Sequence, residues 1–225
     1  MGERHSASWK QVTRGAIIVP LSVFLFLSAF FLVYADTELL RAHLAGGSAT
    51  SEQQVMHAET LAYLDGKRAD LSFYTRSEQE HLRDVRRLLN IARGVLVVSG
   101  LIILWFVLRI RKAREAGRKE LSTLLRRTGL AVLVIALMLG LGGLNFPWFW
   151  LRFHELFFPQ GNYLFSVTSV LITLYPESFW STLAMHVLAA ALSLGLLCLL
   201  GALLLEPPKP AHDTFAHKSA RATFK

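Results

Sequence analysis

The chain has 225 residues, of which 53% are apolar, and it carries 24 Lys and Arg against 16 Asp and Glu. The apolar residues are gathered into blocks that match the roughly 20 residues a helix needs to cross a bilayer, which excludes an ordinary soluble domain. The positive charge is spread along the chain and forms no single patch, which argues against nucleic acid as a partner. The single cysteine, Cys198, excludes an intrachain disulfide.

The first half of the chain has two apolar blocks separated by a long polar segment. A basic N-terminus, residues 1–15, precedes the first predicted membrane helix at residues 16–35. Val33–Ala35 faintly resembles a signal-peptide cleavage site, but the apolar run exceeds a typical signal-peptide core, which favours a retained helix. Residues 36–90 form the longest polar region, and the second predicted membrane helix covers residues 91–108.

The long polar region is predicted to fold into short elements. Ser51–Leu64 has apolar residues on one face of a possible helix. Leu71–Tyr74 is compatible with either a short strand or a segment lying on the surface. Ser77 and Glu80 have the spacing of a capping box, which predicts a helix that starts near Glu78 and continues into the second membrane helix.

The second half of the chain has two further apolar blocks. A basic loop at residues 109–129 precedes the third predicted membrane helix, residues 130–150, which ends in an aromatic run. Residues 151–178 form a loop rich in aromatic side chains, and the fourth predicted helix covers residues 179–205. The remaining residues, 206–225, form a basic, proline-rich tail that is predicted to be disordered.

The charge distribution predicts the topology, because short loops rich in Lys and Arg stay on the cytoplasmic face. The N-terminus, the 109–129 loop and the tail are basic, whereas the 151–178 loop has Arg152 alone. The sequence therefore predicts an all-α membrane protein with four transmembrane helices and both termini in the cytoplasm. The two outward loops are predicted to form a small extracytoplasmic cap, with short strands as one possibility.

Two histidines are expected near the outer membrane face. His154 follows the third helix directly, and His81 lies ten residues before the second, about 15 Å along a continuous helix. Asp84 lies on nearly the same helix face as His81, where it either holds a ring nitrogen or pairs with a neighbouring arginine in water. Glu155 is either a catalytic acid or a partner for Arg152 or a backbone amide.

Other candidate residues have two interpretations each. His154-Glu155 begins the helical zinc motif His-Glu-x-x-His, but position 158 is Phe, and no metal site is predicted. His186, inside the fourth span, is either functional or a neutral imidazole bonded to a neighbouring helix. Several rings either wall a dry substrate pocket or form an interfacial belt, the belt accounting for at least half of them. These rings are Trp148, Trp150, Phe153, Phe157, Phe158, Tyr163 and Phe165.

Two segments carry a family resemblance. The first reads Ser77-Glu78-x-x-His81-Leu82-x-Asp84-Val85. The second runs from Phe153-His154-x-Leu156-Phe157-Phe158 through Gly161-Asn162-Tyr163 to Leu171-Ile172-x-Leu174-Tyr175-Pro176-Glu177-x-Phe179. In order and topology the chain, apart from both tails, resembles the bacterial lipoprotein intramolecular transacylases and their uncharacterised relatives. Ser166-Val167-Thr168-Ser169 departs from the pattern, because relatives often have Pro and Asp there.

The resemblance implies an enzyme of the bacterial cytoplasmic membrane whose site faces outward and whose surroundings are membrane lipids. Its substrate would be a diacylglyceryl lipoprotein. The acyl chain would move from the second glycerol carbon to the α-amine of the same molecule's N-terminal cysteine. The family histidines correspond to His81 and His154, and no cofactor or metal is implied. Supporting residues of the site are expected at Asp84, Glu155, Asn162 and Tyr163.

This chemistry suits histidine, because an α-ammonium group has a pKa of about 7.7–8.0 and a base near neutrality can deprotonate it. We expect His154 to be the base and His81 the polarising or proton-returning group, with the reverse assignment left open. Two other classes of function compete with this interpretation. One is a lipid-ester hydrolase that uses water or a metal at the same site, and the other is a membrane chaperone or sensor. The oligomeric state is not predicted.

Overall fold

The computed structural model describes residues 2–110 and 114–206, with side chains from residue 17 to 109 and from 117 to 206. The helices are α1 (Gly2–Ala35), α2 (Thr37–His43), α3 (Ser51–Leu64), α4 (Arg76–Ile110), α5 (Arg114–Gly142), α6 (Phe146–Phe157), α7 (Val170–Leu174) and α8 (Glu177–Leu205). Short 3-10 helices occur at Leu44–Gly47 and Gly143–Asn145. The described residues contain no strand, which confirms the all-α prediction.

Within the described residues, four helices are long and apolar enough to cross a membrane, in the predicted number and order. The qualifying stretches are Ile17–Ala35, Arg76–Arg109, Gly117–Phe157 and Glu177–Leu205. Many large apolar side chains on these helices face outward, as expected for surfaces covered by lipid.

The membrane helices pack unequally. Helix α1 packs against α4, α5 and α8, whereas α4 and α5 meet only sparsely, so α4 is attached to the bundle through α1. Helices α5 and α8 form the most extensive pair. They approach closely because Gly129 faces Gly195, and a Cβ atom on Gly129 would lie 2.8 Å from the Gly195 carbonyl oxygen. Small residues of this kind let two membrane helices pack backbone to backbone.

A hydrophobic core joins the short helices to the N-terminal ends of α4 and α8 and forms a cap on the bundle. Its fully buried members include Leu44, Leu71 and Leu174. Leu71 and Tyr74 belong to a turn, in which the Tyr74 N–H donates to the Leu71 carbonyl at 3.2 Å. Both expectations for Leu71–Tyr74, strand and surface segment, are therefore wrong. Side chains three residues apart cannot share one face of a strand, yet both of these are buried in the same core.

The capping box at the start of α4 also differs from the prediction, because Thr75 and Glu78 form it. The Thr75 N–H donates to Glu78 Oε2 at 2.8 Å, and the Glu78 N–H donates to Thr75 Oγ1 at 3.4 Å. Glu80 instead accepts a hydrogen bond from Arg76 on the exposed helix surface. Helix α4 therefore begins at Arg76, two residues before the predicted start.

A polar network is buried within the cap. The Thr60 hydroxyl donates to the Met56 carbonyl at 2.7 Å and lies 3.1 Å from the Tyr74 hydroxyl. Because the Thr60 hydroxyl already donates its only hydrogen to the carbonyl, the Tyr74 hydroxyl is the donor in the bond to Thr60. His57 Nδ1 lies 2.9 Å from the Tyr175 hydroxyl. His57 is thus part of the cap interior.

Candidate active site

His154 lies in the last turn of α6, a helix that Asn145 and Pro147 begin. The Asn145 side chain accepts a hydrogen bond from the Trp148 N–H at 3.3 Å, and Pro147 occupies the first turn, where no donor is lost. His154 is 8% exposed, and its Nδ1 lies 2.9 Å from the Trp150 carbonyl oxygen. A carbonyl only accepts, so Nδ1 carries a hydrogen and Nε2 of the neutral ring holds the free lone pair.

The structure brings the two predicted histidines together. His81 lies near the start of α4, is 6% exposed, and stacks on His154 with ring centroids 5.9 Å apart and planes inclined by 21°. Phe158 and Phe165 cover the His81 ring, at centroid distances of 4.8 and 5.6 Å. Nδ1 of His81 is buried without a hydrogen-bond partner among the described residues, which leaves it available to a bound group.

Asp84 acts on this pair through its amide neighbours. Its Oδ2 accepts hydrogen bonds from Gln160 at 2.9 Å and from Asn162 at 2.8 Å, and its Oδ1 pairs with Arg87 at 3.0 Å. Of the two alternatives for Asp84, the arginine pair is the one that forms. The Asn162 side chain in turn lies next to His81. Asp84 therefore orients the Asn162 amide that borders His81.

Glu155 lies away from the histidine pair. It is exposed and forms an ion pair with Arg152, which was one of its predicted alternatives. Successive residues on a helix point about 100° apart. The buried position of His154 consequently turns Glu155 outward, and the geometry gives Glu155 no contact with the reacting groups.

The aromatic side chains divide into two groups. The first surrounds His154, with ring centroid distances of 4.5 Å for Trp150, 5.7 Å for Phe153, 5.5 Å for Phe158 and 5.0 Å for Tyr163. The second group consists of Trp148 and Phe157, which are 54% and 44% exposed. Exposed aromatic rings are typical of the membrane boundary, so Trp148 and Phe157 fit an interfacial belt. The belt was expected to account for at least half of the seven rings, but the other five contact His81 or His154.

Glu78 is a residue of this region that the sequence reasoning missed as a site residue. Its carboxylate is fully buried and accepts from the Thr75 N–H, the Thr75 hydroxyl and the Leu171 N–H, the last two at 2.7 and 2.8 Å. It lies one helical turn before His81 and binds the start of α7. Glu78 thus ties the first turn of α4, one turn before His81, to the start of α7. The sequence feature that could have identified Glu78 was its position in the first of the two family motifs.

Trp180 is the second residue that was missed. Its ring stacks on Trp150 at a centroid distance of 4.9 Å, and Trp150 supplies the carbonyl that sets the His154 tautomer. Tyr175 in turn contacts Trp180 at 5.9 Å. The start of α8 therefore packs against Trp150, the residue whose ring and carbonyl contact His154. Nothing in the spacing of Trp180 linked it to His154, because the contact is between distant helices.

The described residues contain no group of three or more metal-ligating side chains. What they provide is an imidazole with a free lone pair, a second imidazole stacked on it and a wall of aromatic rings. Fold and site together define an integral membrane protein with a candidate general-base site where the cap meets the helix bundle.

Comparisons with known proteins identify the family. The family model of the lipoprotein intramolecular transacylase Lit matches residues 13–180, well over half of the chain, and the chain belongs to this family. The in meso structure of the membrane integral lipoprotein intramolecular transacylase Lit from Bacillus cereus is similar, with a TM-score of 0.74 and 18% sequence identity. The alignment covers 88% of this chain and 96% of that chain. A search of curated proteins finds no match.

These findings confirm the resemblance seen in the two motifs. Membership of the family makes the chain an integral membrane transferase of the lipoprotein-modifying class, with a lipoprotein as the implied substrate. At 18% identity, the similarity to the solved structure supports the fold alone.

Proposed function

We propose that this chain moves an acyl chain within one diacylglyceryl lipoprotein, from the ester at the second glycerol carbon to the α-amine of the N-terminal cysteine. His154 and His81 perform the proton transfers. The observation that carries the proposal is the stacking of these two imidazoles at 5.9 Å within an aromatic wall, in a chain of the transacylase family.

In the first step, Nε2 of His154 removes a proton from the cysteine α-ammonium group. The tautomer supports this role, since Nδ1 is committed to the Trp150 carbonyl and the lone pair must reside on Nε2. The free amine then attacks the ester carbonyl and forms the new N–C bond. The carbonyl oxygen becomes an oxyanion, and the α-nitrogen still carries a proton that must leave.

In the second step, a ring N–H of His81 stabilises the oxyanion, which is the charge that develops in the transition state. The tetrahedral intermediate loses the α-nitrogen proton to a histidine, and the C–O bond to the second glycerol carbon breaks. The departing oxygen takes one proton from the pair and becomes a hydroxyl. The products are an amide and a glycerol with a free 2-hydroxyl, and the second proton taken from the ammonium group passes from the histidine pair to water, so atoms and protons balance without a cofactor.

The surrounding residues serve this reaction by position. Donor and acceptor belong to one substrate molecule, so the enzyme gains most from holding them in a reactive geometry. Trp150, Phe153 and Phe158 exclude water, which protects the ester from hydrolysis. The Asp84–Asn162 hydrogen bond at 2.8 Å keeps the polar edge of the site in place.

We also propose that the site faces outward and that both termini are cytoplasmic. Helix α4 has 35 residues and is about 50 Å long, well beyond the roughly 30 Å of a hydrocarbon core, so one of its ends projects from the membrane. His81 lies near the end opposite the basic segment that begins at Arg109. The positive-inside bias assigns that basic segment to the cytoplasm.

Mass spectrometry of a reporter lipoprotein tests the proposal. The wild-type enzyme should convert a diacylglyceryl reporter into one with a single acyl chain on glycerol and one on the amine. His154→Ala should lower the initial rate by roughly 100- to 10,000-fold, the usual contribution of a general base. Glu155→Gln is the matched control, because it changes the next residue on the exposed face and should leave the rate unchanged.

Two outcomes would contradict the proposal. Free fatty acid in place of the N-acylated product would show a hydrolase. An undiminished rate in His154→Ala, with the variant folded as judged by its elution profile, would remove His154 from the mechanism.

A further inference from the structure

The two histidines of the candidate site lie on helices that separate inside the bundle. His81 belongs to α4, and His154 belongs to α6, which follows α5 after a short 3-10 turn. Their ring centroids are 5.9 Å apart where the cap meets the bundle. Within the bundle, however, α4 packs on α1 and meets α5 only sparsely. A gap between α4 and α5 therefore leads from the histidine pair into the membrane.

The other neighbouring helices of the bundle pack closely. Helix α1 packs on both α4 and α8, and α5 approaches α8 backbone to backbone at Gly129 and Gly195. The cap helix α2 packs on α8, where the centroids of His43 and His186 are 6.2 Å apart. His186 Nδ1 lies 2.9 Å from the Thr182 carbonyl oxygen, so it donates to its own helix and not to a neighbouring one. The gap between α4 and α5 is the remaining route between helices.

The exposed fractions along α4 show which of its sides borders this gap. Leu96 is half-buried, and Val95 and Val97 point about 100° to either side of it. Val95 is 40% exposed, whereas Val97 is 61% exposed. Ile102, two turns after Val95, is 38% exposed. The side with Val95 and Ile102 is thus sheltered by a second wall, and the side with Val97 faces lipid.

The sheltered side of α4 continues the direction of His81. Seven residues fall about 20° short of two full turns, so His81, Leu88, Val95 and Ile102 form one stripe down the helix. At 1.5 Å per residue, Leu88 lies about 10 Å and Val95 about 21 Å from His81. An extended hydrocarbon chain with bonds of about 1.5 Å gains about 1.25 Å per carbon. A chain of about sixteen carbons whose carbonyl lies at His81 therefore ends near Val95.

Helix α5 supplies the facing wall of the gap. Gly129 faces α8, and the fully buried Val132 packs in the core shared with α1 and α8. Ile135 continues this rotation and points about 120° from Gly129. It is 41% exposed, whereas Val134 on the other flank is 58% exposed. The sheltered flank of α5 is therefore the one with Ile135, on the side away from α8.

We propose that the gap between α4 and α5 is the binding groove for the acyl chain that the enzyme transfers. The proposal rests on the proposed transacylation and adds the place of the chain. The ester carbonyl lies at the histidine pair, and the chain lies along Leu88, Val95 and Ile135. Packing positions the chain, because a lipid tail is as apolar in the membrane as these side chains. Since the groove opens sideways, the diacylglyceryl group enters from the lipid without leaving it.

Photocross-linking of a reporter lipoprotein tests where the chain lies. The reporter carries a diazirine near the end of the acyl chain on the second glycerol carbon. The full chain, as His154→Ala to prevent transfer, is placed in vesicles of phosphatidylethanolamine and phosphatidylglycerol. We expect cross-linked peptides around Val95 of α4 and Ile135 of α5. Cross-links confined to α8 or to lipid overturn the proposal. So does equal labelling of the α4 and α5 peptides by a phosphatidylglycerol with the same chain, because the groove would then hold any lipid.

A kinetic comparison tests the groove independently. Val95→Trp fills it, and Val97→Trp is the matched control on the lipid-facing side. With reporter chains of about sixteen carbons, Val95→Trp should lower kcat/KM about tenfold, whereas chains of about eight carbons, which end near Leu88, should react as with wild type. Val97→Trp should react with both as wild type does. Equal losses for the two chain lengths, or equal losses in the two variants, overturn the groove. A wild type that transfers no acyl chain would refute the transacylation instead, and the cross-links would still report the groove.

Discussion

Replacement of Glu78 by glutamine tests how the start of α4 is held. The buried carboxylate uses Oε2 for two donors from Thr75 and Oε1 for the Leu171 N–H. Glutamine has almost the same shape but replaces one oxygen with an NH2 group. If the NH2 group takes the place of Oε1, it faces the Leu171 N–H and that hydrogen bond is lost. If it takes the place of Oε2, it faces the two donors of Thr75 and those hydrogen bonds are lost.

The cost follows from the charge on the acceptor. A hydrogen bond to a charged group contributes about 1.5–3 kcal/mol, so Glu78→Gln should destabilise the protein by about 2 kcal/mol or more. For a chain of this size, that loss lowers the Tm by about 4–8 °C. Because Glu78 also positions His81, the transacylation rate should fall in the same variant.

The control is the neighbouring carboxylate on the same helix. Glu80 is half exposed and pairs with Arg76 at 3.1 Å across one turn, a contact that contributes only about 0.3–0.5 kcal/mol. Glu80→Gln should therefore shift the Tm by about 2 °C or less. Thermal unfolding in detergent measures both variants. If Glu80→Gln were the more destabilising of the two, the Ser77–Glu80 capping box would be correct and the role given to Glu78 would be wrong.

Three further predictions concern the cap, the site and the bundle. Burial, with a smaller effect of the Arg41 charge, lowers the pKa of His57 to about 4, below the usual 6.5. The neutral His57 ring therefore stabilises the fold fully above pH 6.5, and this stabilisation is lost as the pH falls towards 4, by up to about 3 kcal/mol. The variant His57→Gln should flatten the dependence of Tm on pH over this window. Asp84→Ala should lower the transacylation rate about 10- to 100-fold through misplacement of Asn162, and a rate equal to wild type in the reporter assay would remove its orienting role. Gly129→Ala should lower the Tm by separating α5 from α8, at a cost of about 1–3 kcal/mol. Gly201→Ala is its control, since the new Cβ would lie 3.5 Å from a Leu125 side-chain atom, an ordinary contact.

The meeting of the two histidines was predictable only in part. Hydropathy and the basic loops assigned His81 and His154 to the same side of the membrane, because the order of the spans determines which ends are neighbours. Their separation of 5.9 Å depends on how α4 and α6 lean towards each other, and no local pattern encodes that angle. The sequence therefore predicted which two residues form the candidate site but not their geometry.

The capping box shows why local motifs can mislead. Ser77 with Glu80 and Thr75 with Glu78 both have the required spacing, and sequence offers no reason to choose between them. The choice rests on the Leu171 N–H, which lies 93 residues further along the chain and needs a buried acceptor. The long-range hydrogen bond from the Leu171 N–H therefore determines that Glu78, and not Glu80, is the buried carboxylate.

Leu71–Tyr74 was misassigned for a related reason. Its four residues are apolar or small enough to suit a strand, but no partner strand is available among the described elements. Burial of Leu71 and Tyr74 in the cap core stabilises a turn instead. Trp180 was overlooked because its partner, Trp150, belongs to a different helix.

The stacking of His81 and His154 has a consequence for the shape of substrates and inhibitors. A flat group sandwiched between two parallel rings needs about 7 Å between them, twice the contact distance of carbon atoms. The centroids are 5.9 Å apart, so an ester cannot slide between the rings. In the proposed reaction the ester must meet both imidazoles at their nitrogen-bearing edges. A compound that presents a tetrahedral centre along that shared edge should therefore inhibit, whereas a planar intercalating compound should not.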